Sequence, residues 1–421
     1  MTDQQTSAQL AIHGGPRVRD EPFPQRGNIG WEEKAAVDAL LEQAIASGSA
    51  PGYNGDPETA YCEAFASYMG GGFADAVSSG TAGVYVALKA LDLEPFTEVI
   101  VGAVTDPGGL MPVPLLNLIP MIADSAPGSY NSGPEEVEAL ISPRTSAILV
   151  AHIGGEPADM NGIMAVAKKH GLPVIEDCSQ SHAAVLDGEL VGTFGAIGVF
   201  STMYGKHHNS GGQGGLVYTR DEATYQAIRR AADRGKPFFL PAGTTNVTAS
   251  LNFNLNDLAA TIGSVQLKKL PHIVTQRRAI VSEIGEGIDG LPTVSIPRPV
   301  PGAQPSYWFL RLRFHGDRAT CDKETYCAAL AAEGLSVATS YRAALPHTMD
   351  WFTERRVFGS SGYPWSSPDY EGDPERQFPC PNAQEAMDTH FNLYYYESWG
   401  EREVADAIAI LKKVDRAYAA E

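Results

Sequence analysis

The chain has 421 residues, of which 43% are hydrophobic, so it can bury a large core in two domains or in one large domain with an appendage. Its 50 acidic and 31 basic residues give a formal net charge of −19, which disfavours nucleic acid and anionic membranes as partners because both need basic patches. Neither a membrane-length apolar stretch nor the pattern of a secretory signal is present. We therefore expect a cytoplasmic protein that handles small molecules and keeps its five scattered cysteines reduced.

In chain order, an arm precedes alternating helices and strands. Residues 1–30 are rich in proline, glycine and charge, which favours an extended arm. Helices are predicted at 31–46, 58–68, 134–141 and 160–170, and short apolar strands at 98–101, 121–123, 147–151, 173–177, 197–200 and 216–218. This alternation is typical of an α/β fold with a mostly parallel sheet that is covered on both faces.

The last third of the chain alternates more loosely. Residues 221–240 predict a helix that leads to a loop, and 252–270 include a strong helix. Further helices are predicted at 274–288, 322–333 and 401–418, with a half-buried strand at 306–314. We place a domain boundary near residue 271, where this looser alternation begins. The predicted organisation is an arm (1–30), a large domain (31–270) and a small C-terminal α/β domain (271–421).

One stretch stands apart from the rest of the sheet pattern. An apolar run ends at Ser201, and Lys206 and a glycine-rich loop follow. A buried ammonium is costly unless it is paired, so a lysine in this place suits an enzyme that needs a neutral, nucleophilic amine. A solvated loop lysine is the simpler interpretation of a single lysine, and the residues at other strand ends decide between the two.

Polar residues with matching chemistry follow other predicted strands. Residues 79–82 lie where a strand gives way to a helix, so backbone N–H groups and the Thr81 hydroxyl can hold a phosphate, the alternative being a plain helix cap. Asp177 suits a protonated pyridine nitrogen or, alternatively, caps a helix. Gln180 can donate to a phenolate oxygen, and Ser201 offers another hydroxyl to a phosphate. Ligands of parallel sheets bind at the carboxyl ends of the strands, where these residues lie. A ligand with a phosphate, a pyridinium nitrogen, a phenolate and, for Lys206, an aldehyde is pyridoxal 5′-phosphate.

These motifs resemble the DegT/DnrJ/EryC1/StrS family of sugar aminotransferases from about residue 10 to the end of the chain. The resemblance is carried by Ser79-Gly80-Thr81-Ala82, Glu176-Asp177-Cys178-Ser179-Gln180, Phe200-Ser201 with Gly205-Lys206, Gln213-Gly214-Gly215 and Asn252-Phe253-Asn254. The opening Ile12-His13-Gly14-Gly15-Pro16 looks most like the branch that aminates scyllo-inosose-type cyclitols or makes 3-amino-5-hydroxybenzoate. The resemblance implies a fold type I, aspartate aminotransferase-like enzyme and a homodimer with shared active sites.

The resemblance also implies roles for individual residues. Lys206 would carry pyridoxal 5′-phosphate as a Schiff base, and Asp177 would meet the pyridine nitrogen. Asn252 would reach the phosphate from the neighbouring subunit. The full set of implied cofactor-binding residues is Thr81, Ala82, Asp106, Asp177, Gln180, Ser201, Lys206 and Asn252.

Three features depart from the family pattern. The aromatic residue that usually stacks on the ring falls near Asp106, and a carboxylate cannot stack. The loop after Lys206 is one residue longer and carries Gln213 where glutamate is common. A C-terminal His-Tyr-Pro run appears here as Tyr341-Arg342-Ala343.

Two further residues are candidates for binding substrate. Arg342 suits the carboxylate of an amino donor, because guanidinium is the usual bidentate partner, and its alternative is a surface salt bridge. His182 is a second candidate, against the interpretation of a hydrogen-bonded structural histidine. No metal is expected, because the adjacent His207 and His208 of a strand would point to opposite faces and no third ligand is evident.

Together these features predict a pyridoxal phosphate-dependent aminotransferase. It would move an amino group from glutamate or glutamine to a keto-cyclitol or ketosugar, in aminosugar or secondary-metabolite biosynthesis such as that of antibiotics. Asp106 beside the cofactor leaves a second hypothesis open, namely elimination, dehydration, aromatisation or other chemistry at Cα or Cβ. A third hypothesis, a non-catalytic sensor of the same fold, is disfavoured because Lys206 and Asp177 are both present.

Overall fold

The computed structural model describes residues 9–342 and 344–420, so the first eight residues of the expected arm, Ala343 and Glu421 lie outside the described residues. The strands of the first part of the chain are β1 (Phe73–Val77), β2 (Glu98–Gly102), β3 (Ile119–Ala123), β4 (Thr145–Ala151), β5 (Val174–Asp177), β6 (Val185–Leu186), β7 (Glu189–Leu190), β8 (Ile197–Ser201) and β9 (Gly215–Thr219). Those that follow are β10 (Val294–Ser295), β11 (Ala303–Gln304), β12 (Leu310–Phe314), β13 (Val337–Ala338) and β14 (His390–Leu393).

Seven of these strands form one large sheet in the order β1-β9-β8-β5-β4-β2-β3. The strands from β8 to β3 pair in parallel, whereas β9 runs antiparallel to both of its neighbours. Adjacent residues of β4, Ile148 and Leu149, are both buried. Since adjacent strand residues point to opposite faces, the sheet is covered on both faces, as the sequence predicts.

The helices pack against this sheet and against a second one. They are α1 (Trp31–Ser47), α2 (Asp56–Tyr68), α3 (Gly80–Ala90), α4 (Pro107–Leu110), α5 (Pro112–Leu115), α6 (Pro134–Glu138), α7 (Met160–His170), α8 (Glu222–Ala232), α9 (Asp257–Ile288), α10 (Lys323–Glu333), α11 (Asp350–Thr353), α12 (Pro381–Thr389) and α13 (Glu401–Tyr418). Helix α3 packs against β8 and β9, and α2 packs against β1. Across residues 9–342 and 344–420, none of these helices combines the length and apolar character needed to cross a membrane.

A smaller antiparallel sheet, in the order β10-β12-β14-β13, lies in the last third of the chain. Its own hydrophobic cluster includes Leu312 of β12, Leu330 of α10 and Leu411 of α13. The predicted strand at 306–314 is shorter than expected and begins at Leu310. The residues before it, which the sequence pattern assigned to the strand, bond elsewhere: the N–H groups of Ser306 and Trp308 donate to the carbonyl oxygens of Gly155 and Gly154, just after β4.

Helix α9 corrects the prediction of two helices separated at Pro271, because it is one helix of 32 residues with that proline inside it. A proline inside a helix costs about 3 kcal/mol, but apolar side chains are buried on both sides of it. Leu270 packs in a cluster with α2 and β1, and Ile284 packs in the cluster of the smaller sheet. The predicted domain boundary therefore falls within a continuous helix, and the division at 271 stays a prediction.

Candidate active site

Three strands of the large sheet end at the same edge, where the chain forms a cavity of about 310 Å³. β5 ends at Asp177, β8 ends at Ser201, and β1 leads into the start of α3. Of the predicted site residues, the cavity is lined by Thr81, Asp106, Asp177, Gln180, Ser201, Lys206 and Arg342. Parallel strands thus bring together most of the residues that the sequence predicted to converge.

The start of α3 lies on one side of the cavity. Ser79 caps the helix, with its Oγ accepting from the N–H of Ala82 at 3.0 Å. The first N–H groups of a helix have no acceptor within it and favour negative charge. A Cβ on Gly80 would lie 2.7 Å from the Cβ of Ser201, so only glycine lets the helix start approach that hydroxyl. The N–H of Ala82 is already used by the cap, which leaves Gly80, Thr81 and Ser201 as the available donors.

Asp177 presents one carboxylate oxygen to the cavity. Its Oδ1 accepts from the N–H of Ser179 at 3.0 Å, which fixes the carboxylate at the end of β5. Its Oδ2 has no hydrogen-bond donor among the described residues. A Cβ on Gly109 would lie 3.2 Å from that oxygen, so the glycine leaves the approach to it open.

Lys206 lines the same cavity, and its amine is buried. The residue is 7% exposed, and its Nζ lies 3.8 Å from the centroid of the Trp308 ring. Its Nζ has no hydrogen-bond acceptor within residues 9–342 and 344–420. Burial lowers the pKa of Lys206 from 10.5 to about 8, although the charge of Asp177 acts in the opposite direction. At pH 7 roughly one-tenth of the amine is then neutral, far more than for an exposed lysine with a pKa of about 10.4, and the neutral form is the nucleophile.

Gln180 is held at both ends of its amide. Its Oε1 accepts from the N–H of Gly154 at 2.8 Å, and its Nε2 donates to the hydroxyl of Tyr341 at 2.6 Å. Burial raises the pKa of Tyr341 well above its ordinary value, so the hydroxyl stays protonated. One N–H of Gln180 remains for a ligand.

Asp106 and Arg342 form an ion pair at the mouth of the cavity. Asp106 caps the short helix α4, and its Oδ1 accepts from the N–H of Gly108 at 2.9 Å. The two side chains are 52% and 38% exposed. Arg342 therefore makes the salt bridge and also lines the cavity, and its predicted role with an amino donor stays a prediction.

His182 does not reach the cavity, contrary to the substrate role predicted for it. Its ring is buried and packs edge-on against Phe200, beside His207 and His208. Neither ring nitrogen has a hydrogen-bond partner in the part of the chain that the structure describes. The alternative of a hydrogen-bonded structural histidine is therefore not observed either.

Asn252 is exposed and lies outside the cavity of its own chain. It forms an isolated bridge with Asp233, and its Oδ1 accepts from Nδ2 of Asn254 at 2.6 Å. Its Nδ2 has no acceptor among the described residues. Its predicted contact with a neighbouring subunit stays a prediction.

Among the cavity residues that the sequence analysis did not single out, His152 and Trp308 matter most for its chemistry. His152 follows β4 at the same edge as Asp177 and lines the cavity, so its place after a strand was the signal that could have found it. Its Nδ1 accepts from the N–H of Ala158 at 3.0 Å, and its Nε2 contacts Glu176. No local pattern marks Trp308, because it reaches the cavity through contacts with a distant part of the chain.

A family comparison covers most of the chain. A model of the DegT/DnrJ/EryC1/StrS aminotransferase family matches residues 32–366. An aminotransferase from Psychrobacter cryohalolentis superposes with a TM-score of 0.80 at 24% identity, over 94% of this chain and 99% of that chain.

Two other solved structures are similar. The aminotransferase TlmJ from Streptoalloteichus hindustanus has a TM-score of 0.77 at 26% identity, over 92% of this chain and 97% of that chain. A 3-amino-5-hydroxybenzoic acid synthase has a TM-score of 0.78 at 24% identity, over 94% and 100% of the two chains. The predicted family, the predicted fold class and the predicted enzyme class are thereby confirmed. The chain belongs to the DegT/DnrJ/EryC1/StrS aminotransferase family, whose members use pyridoxal 5′-phosphate, and it is an aminotransferase.

Proposed function

We propose that this enzyme binds pyridoxal 5′-phosphate on Lys206 and moves an amino group from glutamate or glutamine to a keto-cyclitol or ketosugar. The product would enter aminosugar or secondary-metabolite biosynthesis, including that of antibiotics. The observation that carries the proposal is the cavity itself. There the buried amine of Lys206, which lacks an acceptor among the described residues, shares one space with Asp177 and the start of α3.

The residues of the cavity match the phosphate, the ring nitrogen and the aldehyde of the cofactor. The helix start with Thr81 and Ser201 supplies N–H and hydroxyl donors for a phosphate, and the contact at Gly80 leaves no room for a side chain there. The unpartnered Oδ2 of Asp177 suits a protonated ring nitrogen, and the amine of Lys206 suits an aldehyde. When bound, pyridoxal 5′-phosphate supplies an electron-withdrawing ring that stabilises negative charge on a carbon that loses its proton.

The chain's own residues would bind, orient and move protons. Thr81 and Ser201 would hold the phosphate, while Asp177 would keep a proton on the ring nitrogen. Lys206 Nζ would take the proton from the donor's α-carbon and return it, because an amine with a pKa of about 8 can both accept and release a proton near neutral pH. The Trp308 ring covers the amine on one side and limits its contact with water.

Arg342 is the residue best suited to the donor's carboxylate. Besides Lys206 it is the other cationic side chain among the described residues that line the cavity, and its planar guanidinium matches a carboxylate bidentately. A donor carboxylate would take the place that Asp106 occupies. Asp106 lies at the mouth of the cavity, and its Oδ1 accepts from the N–H of Gly108 whichever partner Arg342 has, which disfavours the alternative chemistry that it suggested.

The half-reaction with the amino donor tests the proposed function. The enzyme loaded with pyridoxal 5′-phosphate is mixed with glutamate or glutamine, and its absorbance is followed together with release of the keto acid. We expect loss of the visible band and formation of pyridoxamine phosphate. If no amino donor converts the cofactor, transamination is the wrong reaction, and elimination or aromatisation becomes the hypothesis to test.

We also propose that the enzyme is a homodimer in which Asn252 reaches the partner's cofactor phosphate. Apolar side chains are exposed near both Lys206 and Asn252: Tyr204 is 69% exposed and Leu251 is 58% exposed. Single exposed apolar residues are common on protein surfaces, so these two support the proposal only by their places beside Lys206 and Asn252 in the sequence. The free Nδ2 of Asn252 is a suitable donor to a phosphate.

Mixing two inactive variants tests the shared site. Asn252→Ala should weaken cofactor retention without unfolding the chain, and Lys206→Ala should remove the attachment point. In a mixed dimer both lesions would fall in one site and leave the other intact, so part of the activity should return. A mixture that remains as inactive as its components, despite demonstrated subunit exchange, would contradict the shared site.

A further inference from the structure

Arg26, in the N-terminal segment, contacts the backbone on which Lys206 is carried. Its Nη1 donates to the carbonyl oxygen of Lys206, and its Nη2 donates to that of His207 at 2.9 Å. Its Nε donates to Oε1 of Glu397 at 2.8 Å. The side chains of Arg26 and Glu397 are each only 9% exposed, so this fork of hydrogen bonds is largely shielded from water.

The same glutamate holds a second buried arginine. Oε2 of Glu397 accepts from Nε of Arg277 at 3.0 Å. Nη1 of Arg277 donates in turn to the carbonyl oxygens of Tyr307 and Trp308, at 2.9 and 3.3 Å. One carboxylate thus links the arm to the segment that carries the Trp308 ring.

Trp308 contacts both the backbone beside Lys206 and the amine of Lys206. Its Nε1 donates to the carbonyl oxygen of Gly205 at 3.0 Å, and its ring lies 3.8 Å from Nζ of Lys206. The carbonyl groups of three consecutive residues, Gly205, Lys206 and His207, are therefore all held by Trp308 or Arg26. The backbone around Lys206 is thus held by hydrogen bonds, and the Trp308 ring that provides one of them also lies against the amine.

We propose that Arg26 is a positioning residue for Lys206 and that it forms, with Glu397, Arg277 and Trp308, a clamp that aims the amine into the cavity. The inference rests on the proposed role of Lys206. Displacing a reacting group by about 1 Å costs on the order of 100-fold in rate. Accurate positioning of the Lys206 amine therefore gives these buried ion pairs a role in catalysis. The N-terminal arm then becomes part of the active site.

The competing explanation is that Arg26 merely docks the arm, and Arg19 provides the matched control. Arg19 lies on the same arm, is 5% exposed and pairs with Glu403 and Asp406. Its remaining hydrogen bonds go to the carbonyl oxygens of Glu21 and Pro22. Among the described residues it therefore makes no hydrogen bond to the loop of Lys206.

The test compares Arg26→Lys with Arg19→Lys in the full-length enzyme. Lysine keeps the buried positive charge but cannot reproduce the planar fork of donors. The rate at which the cofactor-free enzyme captures pyridoxal 5′-phosphate is measured with the position of the resulting visible band and with the Tm of the cofactor-free protein. We expect Arg26→Lys to slow capture about tenfold or more and to shift the band, as misplacement of a reacting group requires. Arg19→Lys should lower only the Tm.

A second variant keeps the proposal testable if Arg26→Lys folds poorly. Trp308→Phe retains an aromatic ring but loses the donor to Gly205, so it should also slow capture and shift the band, by a smaller factor. Capture and band position that are normal in Arg26→Lys or Trp308→Phe, or changed equally in Arg19→Lys, would overturn the clamp. Failure of the unmodified enzyme to capture the cofactor would instead overturn the proposed function, and the clamp with it.

Discussion

Lys206 and Lys323 are both buried lysines, and the partners of their amines differ. They are 7% and 5% exposed, respectively. Nζ of Lys323 donates to the carbonyl oxygens of Met387 and His390, at 2.6 and 3.2 Å. Nζ of Lys206 has no acceptor among the described residues and lies against the Trp308 ring at the wall of a cavity.

The contrast shows that burial alone does not identify a reactive lysine. Burial lowers the pKa of both amines. The ammonium of Lys323 is stabilised by two carbonyl groups and ties α10 to the segment that enters β14. The amine of Lys206 lacks such bonds and faces Asp177 across a cavity, so it can react. An unsatisfied buried amine therefore points to function, and a satisfied one points to structure.

The largest expected difference between the two lysines is in catalysis. Lys206→Ala should abolish the visible band of the bound cofactor and lower kcat by about a thousandfold or more, since general acid–base catalysis alone contributes about 10²–10⁴-fold. Lys323→Met should keep the band and the turnover of each folded molecule. Turnover and absorbance spectra of both variants check this. Normal turnover in Lys206→Ala would contradict the assignment.

For stability the order is reversed: substitution of Lys323 should lower the free energy of unfolding more than substitution of Lys206. Lys323→Met removes the donor to two buried carbonyl groups, and each unsatisfied group costs about 1–3 kcal/mol. Lys206→Met orphans no acceptor in the described residues. Because the pKa of Lys206 is lowered to about 8, its charged form opposes folding below that pH, and this cost disappears as the pH rises toward 10.5. At pH 7 the cofactor-free Lys206→Met protein should therefore be at least as stable as the parent.

Urea unfolding of the cofactor-free proteins, followed by circular dichroism, measures this difference. Lys323→Met should lose about 2–6 kcal/mol of unfolding free energy, as two orphaned carbonyl groups imply. Equal destabilisation by both substitutions would mean that Lys206 has a structural partner as Lys323 does.

The pH dependence of cofactor capture reports the environment of Lys206 directly. The neutral amine reacts with an aldehyde, and burial lowers the pKa of Lys206 to about 8. The capture rate should therefore rise with pH and level off above about pH 8, whereas an exposed lysine would continue to gain up to about pH 10.4. The reaction of free N-acetyl-lysine over the same pH range is the control for titration of the cofactor itself. A midpoint equal to that of the free lysine would contradict a buried amine.

The smallest effect is expected at the ion pair of Asp106 and Arg342. Asp106→Asn keeps an acceptor for the N–H of Gly108 but releases Arg342 to bind the donor's carboxylate. Exposed ion pairs are worth about 0.2–1 kcal/mol, so the KM for glutamate should fall by at most about fivefold with kcat unchanged. Glu354→Gln, which releases the surface residue Arg356, should leave both constants unchanged. A higher KM in Asp106→Asn would contradict competition for Arg342.

Much of the fold and the core of the cavity could be predicted because they depend on local patterns. Helices α7 and α13 begin and end where their apolar spacing indicates. Asp177, Ser201 and Lys206 could be placed together because parallel strands share an edge. The chemistry of these side chains then suggested one ligand.

The features that the sequence could not predict depend on contacts between distant parts of the chain. Arg26 lies 180 positions before Lys206, whose carbonyl oxygen it binds, and 371 positions before Glu397. No local spacing reports such pairs. Helix α9 continues through Pro271 because burial on both sides outweighs the local rule, and the buried location of His182 is likewise set by packing.

Chemical identification of the modified lysine shows whether Lys206 carries the cofactor. Enzyme loaded with pyridoxal 5′-phosphate is reduced with borohydride and digested, and its peptides are mapped by mass spectrometry. We expect a phosphopyridoxyl group on Lys206, an unmodified Lys323, and no such peptide from Lys206→Ala. A label on Lys323 or on another lysine, or active enzyme whose Lys206 peptide carries no label, would contradict this assignment.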